Sequence, residues 1–120
     1  MNPRCDVLIV TCFDFRFQQH FDRWIEANLE PGSYDRVAVA GGVKDWDAVH
    51  RQVVLARRLH GVQRVVLINH EDCMAYGEEG TLKRHRLDLK LGRERIMEQY
   101  PELKVELYFQ RLDGSIEPVE

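Results

Sequence analysis

The sequence predicts an α/β protein: an open sheet of about four mainly parallel strands flanked by helices, closed by a small C-terminal hairpin. Three observations predict it. Short apolar runs of strand type alternate along the chain with patterns of helical spacing. The first three runs are dense in Val, Ile and Leu instead of alternating with polar residues, as in strands covered on both faces. The 120 residues, 44% hydrophobic and 31% charged, suit one domain spanning 1–120.

The first strand is expected over Asp6–Thr11 (DVLIVT). A helix follows over Phe17–Leu29, where Phe17, Phe21, Trp24, Ile25 and Leu29 recur at three- and four-residue spacing until Pro31-Gly32 stops it. Arg36–Ala40 (RVAVA) is the second strand. The second helix runs over Asp47–His60, with Val49, Val53, Ala56 and Leu59 on one stripe, Asp45 or Asp47 as its cap and Gly61 as its stop. Arg64–Asn69 (RVVLIN) is the third strand. A third helix spans Thr81–Tyr100, its apolar side marked by Leu82, Leu89, Ile96 and Met97. Gly92 interrupts that pattern, so a break or kink is expected there. Val105–Phe109 is the fourth strand, and Asp113-Gly114 signals a two-residue hairpin turn.

Composition excludes several function classes. Seventeen Lys and Arg against 20 Asp and Glu give a net charge of −3 with no basic tail, so no nucleic-acid partner is expected. No apolar run reaches ~18 residues, so no membrane partner is expected. Met1–Asp6 lacks the apolar region of a secretory signal, which makes the cytoplasm the expected location. Cys5, Cys12 and Cys73 are an odd number, which argues against a closed disulfide framework. Reduced cysteines are packed in a core, reactive, or bound to metal.

In open α/β sheets ligands sit beyond the carboxyl ends of the strands. The residues there are Cys12-Phe13-Asp14-Phe15-Arg16 after the first strand, Gly41-Gly42 after the second and His70-Glu71-Asp72-Cys73 after the third. A single Cys or His in such a place is ordinarily a core or hydrogen-bonded residue. Three metal-competent residues at one edge suggest more. Cys12, His70 and Cys73 suit Zn²⁺, and three protein ligands leave one tetrahedral position open, as catalytic zinc sites do. Asp14 and Arg16 suggest a charge-assisted pair that keeps the carboxylate ionised and oriented; the plainer reading is a surface ion pair. Two thiolates cancel the charge of Zn²⁺, so such a site gains from a nearby acceptor, and Asp14 is the candidate. As a carboxylate it could also bind the metal directly. Cys5 has no such company and reads as incidental. His20 reads as a solvated residue, with a proton shuttle as its alternative role. His50, His60 and His85 read as exposed helical positions. The basic stretch from Lys83 to Arg95 reads as a solvated helix face.

These motifs resemble the β-class carbonic anhydrases, whose hallmark is Cys-x-Asp-x-Arg followed downstream by His-x-x-Cys. An Ala-Gly-Asn-type turn between them is matched by Ala40-Gly41-Gly42. The resemblance covers roughly residues 6 to 76, and the last strand and hairpin as well. It implies zinc held by Cys12, His70 and Cys73, with Asp14 and Arg16 as the catalytic dyad. It also implies reversible hydration of carbon dioxide to bicarbonate by a zinc-bound hydroxide, and a homodimer. Phe13, Phe15, Gly41, Gly42 and Tyr76 would form the substrate pocket. The sequence departs from the family at Gly42 (usually Asn), Asn69 (usually Gly), Glu71 (commonly a small hydroxyl residue) and Met74 (usually Gly), and the family's upstream Gln has no counterpart. These departures leave two further readings open. One is a zinc hydrolase acting on carbonyl sulfide or carbon disulfide. The other is a non-catalytic zinc-binding interaction or regulatory domain.

Overall fold

The computed structural model describes residues 2–120. Strand β1 (Val7–Cys12) leads through a 3₁₀ turn at Phe15–Phe17 into helix α1 (Gln18–Asn28). β2 (Tyr34–Val39), α2 (Trp46–His60), β3 (Arg64–His70), α3 (Leu82–Gln99), β4 (Lys104–Gln110) and β5 (Ile116–Pro118) follow. The sheet order is β2-β1-β3-β4-β5, with every pairing parallel except β4 with β5. The α/β class and the terminal hairpin stand as expected. The hairpin adds a fifth strand to the anticipated four.

Successive strand residues point to opposite faces, and this divides the core. Leu8 and Val10 of β1, Val65 and Leu67 of β3 and Leu107 of β4 pack with Val49 and Val53 of α2 and Leu89 and Ile96 of α3. Val7, Ile9, Val66 and Ile68 pack on the other face with Phe21 and Ile25 of α1. Capping is local. Asp45 accepts from the Ala48 amide at 3.4 Å, Thr81 accepts from the Arg84 amide at 3.1 Å, and Gly61 ends α2 at φ 64°.

Several expectations are corrected. β2 is an edge strand with none of its six positions fully buried and Arg36 and Ala38 exposed, because nothing pairs with its outer side. The hairpin turn is a three-residue loop, Leu112-Asp113-Gly114. Arg111 donates its amide to the Ser115 carbonyl at 2.8 Å, and Gly114 takes φ 94°. Leu59 and Met97 are exposed rather than on the buried stripes. Helix α3 runs unbroken through Gly92. Its buried stripe is His85, Leu89, Gly92 and Ile96, and a Cβ on Gly92 would lie 3.0 Å from Cζ3 of Trp46. Glycine there answers the close approach of α2, so the gap in the apolar pattern marks a contact and not a kink.

His85 is fully buried, not exposed. Its Nδ1 accepts from Asn69 Nδ2 at 2.9 Å, and its ring packs on Tyr76 with centroids 4.0 Å apart. Burial, then the neighbouring His70, push its pKa down to about 4. Below its ordinary pKa of about 6.5 the unfolded chain takes up a proton that the folded chain refuses. This contribution to stability is therefore complete above pH ~6.5 and is lost as pH falls towards about 4. Thermal melts of the wild type should decline through that window, and His85→Gln should show a flatter decline.

Candidate metal centre

The sheet order reverses direction between β1 and β3, and the loops leaving the carboxyl ends of those two strands form the site. The register pairs Thr11 with Ile68, so Cys12 leaves β1 level with Asn69 and His70 follows one residue further along β3. The 3₁₀ turn before α1 and the loop after β3 bring in Asp14, Arg16 and Cys73. Cys12 Sγ lies 4.0 Å from Cys73 Sγ, and the ligand atoms of Cys12, His70 and Cys73 all lie within 4.8 Å of one another.

His70 is completely buried. Its Nδ1 lies 2.7 Å from the Glu71 carbonyl, which can only accept, so Nδ1 carries the proton. This leaves Nε2 as a lone pair, buried and without a hydrogen-bond partner. Phe17 fixes the ring plane at a centroid distance of 4.3 Å. An imidazole lone pair and two sulfurs converging in a buried site fit a borderline-soft divalent ion, and a carbonyl-anchored Nδ1–H is the usual outer support of a ligating histidine. The Gly41 amide donates to Cys12 Sγ at 3.3 Å.

The two cysteines share a proton. Cys12 is held well below the usual thiol pKa, chiefly by the hydrogen bond from Cys73, and Cys73 is raised correspondingly as the donor. Burial opposes charge on His70, yet the Cys12 thiolate and the Glu71 carbonyl raise its pKa above the ordinary value.

Asp14 and Arg16 meet as the spacing suggested. Arg16 Nη2 donates to Asp14 Oδ2 at 2.7 Å, Nε lies 3.2 Å from both carboxylate oxygens, and the Arg16 amide donates to Oδ1 at 2.9 Å. These bonds, those from the Arg16 side chain first, hold the Asp14 carboxyl below its usual range. Its Oδ2 lies 3.9 Å from His70 Nε2. Two further partners carried no clear signal in the sequence. Arg16 also bonds Asp72, through Oδ2 at 3.0 Å and the carbonyl at 2.9 Å, which ties the two motif loops together. Asp72 takes φ 58°, uncommon for a residue other than glycine. Gln18 Nε2 donates to the Cys12 and Asp14 carbonyls at 3.0 and 2.8 Å.

A cavity of about 370 Å³ opens over the two sulfurs, lined by residues 12–16, Gly41 and residues 73–75. Phe13 and Phe15 form its rim, 63% and 87% exposed, joined by Met74 at 72%. Gly42 and Tyr76, expected in the pocket, lie behind it. The Tyr76 hydroxyl donates to Asp88 Oδ2 at 2.8 Å and accepts from Asn69 Nδ2 at 3.1 Å. Asn69 Oδ1 accepts from the Val43 amide at 3.3 Å. A Cβ on Gly42 would lie only 2.6 Å from Asn69 Oδ1. The departures at 42 and 69 are thus one exchange: the Asn69 side chain fills the space that a side chain at 42 would need. His20 is bound to Gln110 Nε2 at 2.9 Å, outside this pocket.

Fold and site together define a class: an open α/β protein with a two-cysteine, one-histidine centre at its topological switch point. Residues 2–120 match the family described as "Putative carbonic anhydrase", and the chain belongs to it. Among solved structures, a carbonic anhydrase from Glaciozyma antarctica is similar at TM-score 0.70 and 20% identity, over 100% of this chain and 85% of that one. The beta-carbonic anhydrase isoform I of Trichomonas vaginalis gives TM-score 0.68 and 17% identity, over 98% and 84%. A carbon disulfide hydrolase in its apo form gives TM-score 0.62 and 14% identity, over 99% and 81%.

The 42/69 exchange has a thermodynamic consequence. Asparagine tolerates the left-handed backbone of position 42, so Gly42→Asn should destabilise mainly through collision with Asn69. Asn69→Gly should destabilise by stripping His85 and the Val43 amide of their partner. Urea unfolding of the double variant Gly42→Asn/Asn69→Gly should recover stability, with a coupling energy of about 0.5–3 kcal/mol. Strict additivity would show the two positions to be independent.

Proposed function

We propose that the chain is a zinc-dependent lyase of the β-carbonic anhydrase type that hydrates carbon dioxide to bicarbonate reversibly. The observation that carries this reading is the buried, unpartnered Nε2 of His70 facing two cysteine sulfurs, with an ionised carboxylate 3.9 Å away. Cys12, His70 and Cys73 would hold the zinc, which when bound supplies Lewis acidity towards water. Asp14 stays engaged with Arg16 on both oxygens, which supports an open fourth position rather than a closed site. Asp14 Oδ2 would accept and orient a proton of the attacking water, and Arg16 would keep that carboxylate ionised and fixed. The rim of Phe13, Phe15 and Met74 suits a small apolar substrate and thins the water around it. The same exposed apolar rim supports a homodimer, since uncovered patches of this kind mark association surfaces. Reduced Cys12 and Cys73 fit a cytoplasmic setting.

Stopped-flow carbon dioxide hydration by the zinc-loaded protein tests the reading. Activity should appear in the wild type and fall by about 10²–10⁴-fold in Asp14→Asn. A rate no higher than buffer, at confirmed zinc loading, would sink it.

A second reading is supported by Met74 on the pocket rim, where the family usually carries glycine. The chain would then hydrolyse carbon disulfide or carbonyl sulfide at the same centre. Sulfide release from those substrates, without carbon dioxide hydration, separates the two.

Metal binding must displace the proton shared by Cys12 and Cys73 and that on any protonated His70. Zinc affinity should therefore rise with pH. Competition with a chromophoric chelator should show tighter binding at pH ~8 than at pH ~6, and Cys73→Ser should weaken binding at both.

A further inference from the structure

The opposite end of the sheet carries a second group of metal-competent side chains. Cys5 precedes β1, Asp35 lies near the start of β2, and His60 is the last residue of α2. Their ligand atoms all lie within 4.8 Å of one another, and each residue is half-buried. We propose that Cys5, Asp35 and His60 form a second site for a borderline divalent cation of the zinc class, distinct from the centre at Cys12, His70 and Cys73.

The donor set is a sulfur, a carboxylate and an imidazole, the mixture such ions accept. With metal–donor distances of about 2.0–2.3 Å, tetrahedral donors sit about 3.3–3.8 Å apart, so the group needs only small side-chain adjustments. His60 Nδ1 already lies 2.9 and 2.8 Å from the two Asp35 oxygens. Cys5 Sγ makes a weak contact with the Val7 carbonyl at 3.8 Å and lies within reach of the Asp35 carboxylate. The backbone fixes the approach: the Cys5 amide donates to the His60 carbonyl at 3.1 Å, and the Asp6 amide to the Ser33 carbonyl at 3.0 Å.

The local field favours a cation. Burial and then the Asp35 carboxylate raise the Cys5 thiol pKa, so the sulfur sits in a negative potential. His60 ends a 15-residue helix, where the dipole is negative. Arg4 close to Gly61, Arg57 and Arg58 in the last turn of α2, and Arg36 along the groove are positive charges that oppose this. Asp35 and His60 also line a groove of about 280 Å³ between β2 and α2, which gives water a route to a fourth position. Bound there, the ion would clip the N-terminal segment and the edge strand β2 to the end of α2. The His60–Asp35 pair alone is complete as a hydrogen bond; around a metal the Cys5 thiolate would join it.

Cobalt(II) titration followed by absorption spectroscopy tests this on the full chain. In Cys12→Ser/Cys73→Ser, Cys5 is the remaining thiol. That variant should still bind one cobalt with a near-ultraviolet sulfur-to-metal band, and adding Cys5→Ser or His60→Gln should abolish the band. Absence of the band in a variant that circular dichroism shows to be folded overturns the proposal, as does a band that survives Cys5→Ser. Zinc equivalents on otherwise wild-type protein give a second measurement that does not depend on that variant's folding. Cys5→Ser should bind one ion fewer per chain than wild type, and an unchanged count overturns the proposal.

Discussion

The parallel pairing of β1 with β3 is the constraint on which the rest of the structure depends. Both strands are interior and covered on both faces, so their register is held by side chains above and below as well as by the ladder. A slip of one residue would turn Leu8, Val10, Val65 and Leu67 out of one core and into the other. The same register brings Cys12 and His70 to the same end of the sheet, where the ladder stops. Cys12 follows the parity of Leu8 and Val10, while His70 follows that of Val66 and Ile68 and so meets Phe17 at the α1 face. The candidate centre is thus approached from both faces of the sheet.

What the strands bring together, Arg16 secures. It bonds Asp14 on its own loop and Asp72 on the other, so the Cys-x-Asp-x-Arg and His-x-x-Cys segments are tied by one guanidinium. The arrangement carries a polar cost of its own. A buried, unpartnered ring nitrogen typically costs about 1–3 kcal/mol, and His70 Nε2 is in that state. The Cys12–Cys73 pair avoids a second buried charge by sharing a proton. A divalent ion would relieve both conditions at once, which is the physical sense in which the site suits metal.

Much of this was legible before folding. The order of elements followed from Val, Ile and Leu runs alternating with helical spacing, and the ends of the second helix from Asp45 or Asp47 and Gly61. The principal candidate residues were legible for the same reason: they directly follow the apolar runs, and α/β topology puts those positions at one edge. Three kinds of information were not legible. His85 and Gly92 break an apolar pattern, so they read as exposed and as a kink, yet both lie on the buried stripe. The reasons, a hydrogen bond from Asn69 and the approach of Trp46, come from distant segments. Tyr76 and Gly42 sit near the motifs in sequence but behind the pocket in space. Cys5, read as incidental, stands beside Asp35 and His60 only because β1, β2 and the end of α2 converge.

The sequence by itself therefore determined the fold class, the strand-end motifs and the residue types able to hold a metal. Those depend on local pattern and on a topology rule that few alternatives satisfy. Only the tertiary structure decided which nitrogen of His70 is left free, that Asp14 turns to Arg16, and that Asn69 occupies the space vacated at Gly42. It also decided that a second sulfur, carboxylate and imidazole meet at the opposite end of the sheet. Each of these is fixed by contacts between segments far apart in the chain, and short-range periodicity carries no information about such contacts.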